Sequence, residues 1–336
     1  MQYAYIAAEE AMKQSGIKIE PERTGIVMGT AMAGIATIAY TQEALTGASH
    51  KKVGPRFIPK ILGNIAAANI AIDYNIQGPS FTVSTACSSG GDAINTACMC
   101  MQSGKADIML AVGAESVLCP LVIYSLANAK ALSRRNDSPS TASRPFDVTR
   151  DGFVIGEGGG ALVLETEEHA LARGAKIYAE IRGCGNTDDA YHVTAPHPEG
   201  RGAIACMKQA IAEAGINPSD IGYINAHGTA TNKGDTVEAS SIKKVFGNTL
   251  PYVSSTKGAT GHMMGAGGIT ETITCVKAIE TGTVPPTINL NEVDPECAGI
   301  DFVANTAKKA EINFAMSNAF GFGGQNSSII VGKYGK

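Results

Sequence analysis

Two stretches of this chain share one design, and that repetition limits the folds open to it. In the first, the run Phe81-Thr-Val-Ser-Thr-Ala ends at Cys87 and passes through Ser-Ser-Gly-Gly91 into small residues that reach Gln102. In the second, Tyr252-Val-Ser-Ser-Thr256 passes through Lys257-Gly-Ala-Thr-Gly-His262 into another small-residue stretch ending at Thr281. Each reads as a short strand, a reactive loop and a helix. Strands that alternate with helices imply a mainly parallel sheet covered on both faces. The chain is therefore expected to be an α/β protein of two related halves, residues 1–170 carrying the cysteine and residues 171–336 carrying two histidines.

The remaining elements fit that frame. A helix is predicted over Tyr3 to Gln14, where Tyr3, Ile6, Ala7, Ala11 and Met12 form one apolar stripe closed by Ser15-Gly16. A buried strand follows over 24–30, then a helix to about Thr46 and a basic loop over 50–60. Helix 61–74 leads to the strand before Cys87, and 106–113 is the next strand. A polar, turn-rich loop over 130–150 precedes a strand over 156–165 and a helix over 167–173; such long loops are usually functional. In the second half, strands are expected over 177–183, 221–226, 252–256, 312–317 and 327–331. Helices are expected over 202–215, 236–246 and up to Thr281.

Composition narrows the function classes. With 44% hydrophobic and 17% charged residues, the 336-residue chain is globular rather than disordered. No apolar run reaches the ~20 residues of a membrane span, and the opening Met-Gln-Tyr-Ala-Tyr-Ile lacks the pattern of a signal peptide. A soluble protein with no membrane partner is expected. Net charge is −4 and no Lys/Arg tract occurs, which argues against nucleic acid. The eight cysteines are irregularly spaced, and Cys98 and Cys100 fall inside a predicted helix, which suits a reducing compartment. Neither Cys-x-x-Cys nor His-Glu-x-x-His occurs, and His192 and His197 lie in a Pro-rich loop, so no resident metal is expected. A phosphate-binding Gly-x-x-x-x-Gly-Lys-Ser/Thr loop is also missing.

Cys87 is the candidate nucleophile. A thiol at a helix N-terminus sits near free N–H groups that favour thiolate, and its Ser and Gly neighbours leave room for a substrate carbonyl. A buried cysteine is often only a small hydrophobe; position at a strand exit, helix start and glycine flank together favour reactivity. His227, in Asn-Ala-His-Gly-Thr-Ala-Thr, and His262 also follow strands. Ligands bind beyond the carboxyl ends of such strands, so the three residues are expected to converge. Cysteine with imidazole partners suits acyl-thioester chemistry.

Five motifs carry a resemblance that spans nearly the whole chain: Ser-Thr-Ala-Cys87-Ser-Ser-Gly, Arg-Pro-Phe-Asp147 to Gly-Glu-Gly158, Asn-Ala-His227-Gly-Thr229-Ala-Thr231, Ser-Ser-Thr-Lys257 to Gly-His262-Met-Met-Gly-Ala-Gly-Gly268, and Ser-Asn-Ala-Phe320-Gly-Phe322-Gly-Gly. In order and spacing they resemble the condensing enzymes of fatty-acid synthesis, the β-ketoacyl-acyl-carrier-protein synthases I and II of the thiolase superfamily. The resemblance implies a thiolase-like fold of duplicated βαβαβαββ halves in αβαβα layers. It also implies that the family's usual opening segment is missing. That segment holds a first strand expected inside the first sheet, so its loss should leave apolar edges and unpaired backbone groups exposed.

By the same resemblance, Cys87 takes the acyl chain from acyl carrier protein, and His227 and His262 promote decarboxylation of malonyl-carrier protein. Lys257 and Glu271 form a pair beside the second histidine. The N–H groups of Cys87 and Phe322 make an oxyanion hole, with Phe322 and Phe320 near the gate over the cysteine. Asp235, which could equally be the N-cap of helix 236–246, matches a supporting carboxylate. Thr229 and Thr231 align with hydroxyls near the pantetheine arm, although such threonines also bond local backbone. Lys51, Lys52 and Lys130 align with positions meeting the acidic carrier, or form a solvated face. Met32 and Phe57 fall where the family lines the acyl pocket and dimer edge. No cofactor is implied beyond the carrier's phosphopantetheine, and a homodimer in the bacterial cytoplasm, or in an organellar matrix or stroma, is expected. A second histidine at position 262, where other branches place Asn or use a second cysteine, favours elongation with carrier-bound malonate. A polyketide ketosynthase would share every one of these residues, and a non-catalytic partner subunit is a further alternative.

Overall fold

The structure, a computed structural model, describes residues 1–47 and 52–335. Lys51 lies outside the described residues. Two sheets organise the chain. The first takes strands β1 (Thr24–Gly29), β2 (Ser80–Val83), β3 (Ile108–Glu115) and β4 (Gly158–Glu165) in the order β2-β1-β3-β4. The second takes β5 (Glu180–Asp188), β6 (Ile221–Asn225), β7 (Tyr252–Ser254), β9 (Asp301–Phe302), β11 (Phe314–Phe320) and β12 (Gln325–Gly332) in the order β5-β12-β11-β6-β7-β9. A two-stranded ribbon, β8 (Thr283–Val284) with β10 (Lys308–Lys309), stands apart. β1 pairs in parallel with β2 and β3, while β3 pairs antiparallel with β4; β6, β7, β11 and β12 repeat that arrangement.

The helices are α1 (Gln2–Ser15), α2 (Ile35–Thr46), α3 (Phe57–Ile61), α4 (Ile65–Tyr74), α5 (Ser89–Gln102), α6 (Pro120–Asn128), α7 (Glu167–Ala172), α8 (Arg201–Ala214), α9 (Asn232–Phe246), α10 (Lys257–Thr260) and α11 (Gly267–Thr281). Helices α1 and α4 cover the outer face of the first sheet through a cluster of Ala4, Ala8, Ile26, Ile70 and Leu110. Helices α8 and α9 cover the second through Met207, Ile211, Ile224, Ile242 and Met316. Between the sheets lie α5 and α11, inside a core that includes Val27, Ile94, Met109, Ile269 and Ile329. This is the layered thiolase-like arrangement expected from the resemblance.

Glycine is what lets the two central helices meet. A Cβ at Gly90 would lie 2.7 Å from the Ile269 nitrogen, and one at Gly268 would lie 2.6 Å from the Gly91 nitrogen. No side chain fits there, so the small residues that begin α5 and α11 are a packing requirement.

Several expectations change. The helix expected over 61–74 breaks at Leu62, which is extended, so Phe57–Ile61 and Ile65–Tyr74 are separate helices; Gly63 between them weakens any continuous helix. The strand expected over 177–183 runs from Glu180 to Asp188, held by eight antiparallel pairings with β12. α6, to which no periodicity drew attention, starts with Pro120 at its first position. The first strand of the second half, β5, lies at a sheet edge beside β12, while β1 pairs directly with both of its neighbours. By the internal repeat, a corresponding strand would lie beside β4 and not inside the first sheet, as expected above. The apolar interior of that sheet is already closed: every residue of β1 and β3 is buried.

Candidate active site

Cys87 sits in a tight 3-10 turn, Ala86–Ser88, immediately before α5. Ala86 holds φ at 51°, a left-handed conformation that disfavours a side chain and so turns the chain sharply to present the sulfur. The turn is tied down from below. Asp92, buried in the first turn of α5, accepts hydrogen bonds from Thr85 Oγ1 at 2.5 Å, Ser88 Oγ at 3.2 Å and Asn186 Nδ2 of β5 at 2.7 Å. One carboxylate thereby links the cysteine turn to the other half of the molecule.

The two histidines come to the same place. His262 Nε2 lies 3.1 Å from Cys87 Sγ, and the His227 and His262 rings meet edge to face with centroids 5.3 Å apart. The long loop after α6 fixes the second histidine: His262 N–H donates to the Val154 carbonyl at 2.7 Å, and Gly156 N–H donates to the His262 carbonyl at 2.9 Å. Phe153 packs its ring edge-on against His262, and Phe320 borders His227. His227 is held by Glu238, a residue that no motif pointed to. Its carboxylate accepts from the N–H groups of His227 at 2.8 Å and Gly228 at 2.7 Å. A Cβ at Gly228 would lie 2.8 Å from the Phe146 ring, which explains a glycine after the histidine.

Lys257 and Glu271 form a buried ion pair, each almost fully enclosed. Phe322 is 41% exposed on the glycine turn, and its backbone N–H points at the Cys87 sulfur. Gly321 is required beside it, since a Cβ there would lie 2.7 Å from the Thr85 carbonyl oxygen. Thr229 and Thr231 hydroxyls lie 3.0 Å apart on the cavity wall.

Asp235 is not an N-cap, because α9 begins at Asn232, with Thr231 at the N-cap position and Asp235 inside the first turn. Instead its carboxylate accepts from the N–H groups of Phe146 at 2.8 Å and Ala230 at 3.1 Å, and faces Arg150 at 3.5 Å. That buried hub joins the Arg-Pro-Phe-Asp147 motif to the His227 loop. Lys130 and Met32 line the cavity; Phe57 starts α3 away from its wall. Lys52 is exposed.

Burial governs the electrostatics. It pushes the Cys87 thiol up to about 11, against the opposing pull of Lys257 and the Phe322 N–H. The expected resting thiolate is therefore replaced by a thiol, because the helix start lies in a desolvated pocket with Val117, Phe153 and Met264. Burial, then Lys257, also drives both histidines well below their ordinary value, so both are neutral at pH 7. Burial raises Glu238 to about 7 and Asp235 to about 6, against the N–H groups that bond to them. A neutral thiol beside a neutral imidazole can pass its proton only when a reaction draws on the sulfur.

The cavity above these residues has a volume of about 590 Å³ and includes the exposed residues Lys130, Lys233 and Phe322 in its lining. Among the described residues, Cys87, His227 and His262 are the one set of possible metal-ligating groups whose ligand atoms converge, all within 4.8 Å of one another. Residues that sequence reasoning missed are Glu238, Asp92, Arg150, Phe153 and Glu115, whose buried carboxylate accepts from the N–H groups of Met32 and Gly265. Glu238 follows Asp235 by three positions, so the two share one face of α9, which is the sole local hint. The others act across long sequence separations.

Fold and site together define a thiolase-like enzyme built around a cysteine and two histidines. The chain matches the β-ketoacyl synthase N-terminal domain over residues 1–170 and the C-terminal domain over residues 178–291. It is 44% identical over 339 aligned residues to the 3-oxoacyl-[acyl-carrier-protein] synthase 2 of Rhizobium meliloti (strain 1021), covering 99% of this chain and 80% of that one. The mitochondrial 3-oxoacyl-[acyl-carrier-protein] synthase of Arabidopsis thaliana is also 44% identical, over 98% of this chain and 73% of its own. Among solved structures, a type II polyketide ketosynthase in complex with its acyl-carrier protein superposes with a TM-score of 0.93 at 34% identity, covering 98% of this chain and 84% of that one. A β-ketoacyl synthase from Burkholderia phymatum superposes with a TM-score of 0.92 at 35% identity, over 98% of this chain and 81% of that one. The chain belongs to the β-ketoacyl synthase family.

Proposed function

We propose that this chain is a 3-oxoacyl-[acyl-carrier-protein] synthase of the elongating class II type, an acyltransferase of fatty-acid biosynthesis. The observation that carries this reading is the 3.1 Å contact between Cys87 Sγ and His262 Nε2 beneath an open cavity, with His227 alongside. Greater identity to relatives named 3-oxoacyl-[acyl-carrier-protein] synthase 2, 44%, than to the type II polyketide ketosynthase, 34%, favours the fatty-acid pathway. A complete and connected site argues against a non-catalytic subunit.

The reaction runs in two stages. Cys87 attacks the acyl thioester of the carrier protein while its proton moves to His262 Nε2. The oxygen that gains charge accepts hydrogen bonds from the N–H groups of Cys87 and Phe322. Carrier thiol leaves with the proton, and the acyl group stays on sulfur. Malonyl-carrier protein then enters, and loss of carbon dioxide leaves an enolate whose oxygen accepts N–H bonds from His227 and His262. Its carbon attacks the acyl-cysteine, the C–S bond breaks as the new carbon–carbon bond forms, and the Cys87 thiolate released takes a proton from solvent to return to the thiol. Neutral imidazoles serve both stages because a neutral ring offers one acceptor and one donor. Within the described residues neither Nδ1 has a protein partner, so no neighbour locks the tautomer.

Lys257 and Glu271 hold the base of the site, and Phe322 gates it with Phe320 behind. Thr229 and Thr231 face the pantetheine arm, and Asp235 braces the loop that carries them. Carrier protein docks over Lys130, which lines the cavity, with exposed Lys52 as a further contact. Met32 meets the acyl chain. No resident cofactor is required beyond the phosphopantetheine of the carrier. Two chains pair through the open edge of β2, where Phe81 is 48% exposed. The compartment is the bacterial cytoplasm or an organellar matrix or stroma; no helix among the described residues is long and apolar enough to cross a membrane.

The test is condensation with defined carriers. Saturated acyl-carrier protein and malonyl-carrier protein should yield the 3-oxoacyl product, and His227→Ala should remove carbon dioxide release while Cys87 still acquires its acyl group. Turnover only with polyketone-bearing carriers would move the enzyme to polyketide assembly.

A further inference from the structure

We propose that Cys87, His227 and His262 form a three-ligand site for a soft divalent metal ion, with Zn²⁺ as its natural class, and that occupation of this site closes the enzyme reversibly. Binding follows from the side chains themselves; the inhibition rests on the catalytic reading above.

Donor chemistry comes first. One thiolate and two imidazoles are ligand types that zinc takes, and three protein ligands with an open fourth position is the pattern of catalytic-type zinc sites. Geometry comes second. Bond lengths of about 2.3 Å to sulfur and 2.0–2.1 Å to nitrogen place tetrahedral ligand atoms roughly 3.3–3.6 Å apart. The three ligand atoms here lie within 4.8 Å of one another, with the Cys87–His262 pair at 3.1 Å. The ion's fourth position faces the cavity of about 590 Å³, where water or chloride completes the shell.

Charge near the site is mixed. Lys257, which disfavours positive charge at both imidazoles, pairs with Glu271. Glu115, a buried carboxylate that accepts N–H bonds from Met32 and Gly265, adds negative charge near the sulfur.

Binding is a substitution with no redox step. The Cys87 S–H bond breaks, the sulfur pair goes to the metal, and one proton leaves to solvent. Each imidazole lone pair displaces one metal-bound water. The site also explains why the ion would be a reversible visitor. Metal-bound histidines normally donate their second nitrogen to a carboxylate or carbonyl, and loss of such a partner lowers affinity about 10- to 100-fold. His262, whose Nε2 faces the sulfur, has a buried Nδ1 without a partner among the described residues.

The experiment titrates Co²⁺ into metal-free full-length protein, with Zn²⁺ as competitor. One equivalent should produce tetrahedral cobalt bands together with a thiolate-to-cobalt charge-transfer band, and Zn²⁺ should erase both. Cys87→Ser should lose the charge-transfer band, and His262→Ala should weaken binding about tenfold or more; thermal melts confirm that each variant is folded. In parallel, Zn²⁺ should slow iodoacetamide modification of Cys87 at least tenfold, read by peptide mass spectrometry, leave Cys98 unaffected, and be reversed by EDTA. Absence of a thiolate–cobalt band, a band unchanged in Cys87→Ser, or Cys87 modification unchanged by Zn²⁺ would each overturn the proposal. A chain that gives the cobalt spectrum yet takes no acyl group in metal-free buffer contradicts the catalytic reading instead.

Discussion

The start of α5 and the start of α11 are the same piece of architecture put to different use. Each helix is preceded by a 3-10 turn, Ala86–Ser88 in one half and Met264–Ala266 in the other. Each turn opens on a non-glycine residue at positive φ, Ala86 at 51° and Met264 at 46°. The residue after that kink is Cys87 in the first half and Gly265 in the second. In the first half a sulfur projects into an open cavity. In the second, a Cβ at Gly265 would lie 2.5 Å from the Ala31 nitrogen and 2.7 Å from a Glu115 oxygen, so nothing can project. The second half instead contributes the imidazole two residues before its kink, His262. The two halves thus hold two equivalent presentation points, and packing decides which one can project a side chain into the cavity.

The comparison can be broken at either end. Replacing the projecting group has the largest effect: Cys87→Ala should reduce condensation on the order of 10⁴- to 10⁶-fold, with a thermal melt close to that of the parent. A kinetic assay with both carriers measures the first and a melt the second. Next is the buried ion pair beneath His262. Lys257→Met leaves Glu271 without its partner and should lose about 3–5 kcal/mol of stability in denaturant titration. Lys257→Met combined with Glu271→Leu should recover much of that loss, and a double variant destabilised by the sum of the two single losses would mean the residues act independently.

At the second half's kink, Gly265→Ala should cost about 1–3 kcal/mol, because the obstructing atoms include backbone. A neutral result there would remove the packing explanation for the asymmetry. Glu238 tests how the His227 loop is held. Burial raises its carboxyl from 4.5 to about 7, so the folded chain binds more protons than the unfolded chain between those values. Stability contributed through this group is therefore full at low pH and falls as pH rises from about 4.5 through 7. Glu238→Gln has no such proton to lose, so the parent's advantage over the variant should shrink between pH 5 and pH 8 by on the order of 1–3 kcal/mol. Denaturant titrations at both values check the sign. Smallest is the cavity rim, where Lys130→Glu should raise KM for carrier protein a few-fold at low salt and less at high salt. An unchanged KM would make Lys130 part of a solvated face.

What could be read from sequence follows from range. Cys87, His227 and His262 stand at strand exits with glycines beside them, and strand exits converge in an α/β sheet, so local pattern was enough. The central helices were legible through their small residues. Glu238, Glu115, Asp92 and Arg150 were not, because each bonds to backbone or side chains brought near only by the finished fold. The same holds for the thiol's protonation state. A helix start suggested thiolate, but the apolar lining from Val117, Phe153 and Met264, contributed by three distant segments, outweighs it. The position of the first strand failed for a similar reason, since sheet order is set by β5 pairing with β12 far along the chain.

The central claim is that the first kink, and not the second, carries the acyl group on its sulfur. Incubating the full chain with acyl-carrier protein, then digesting it and mapping adducts by mass spectrometry, tests this directly. The account predicts one acyl group per chain, on the peptide containing Cys87 and absent from Cys87→Ser. An adduct on any of the other seven cysteines, or none at all, would contradict it.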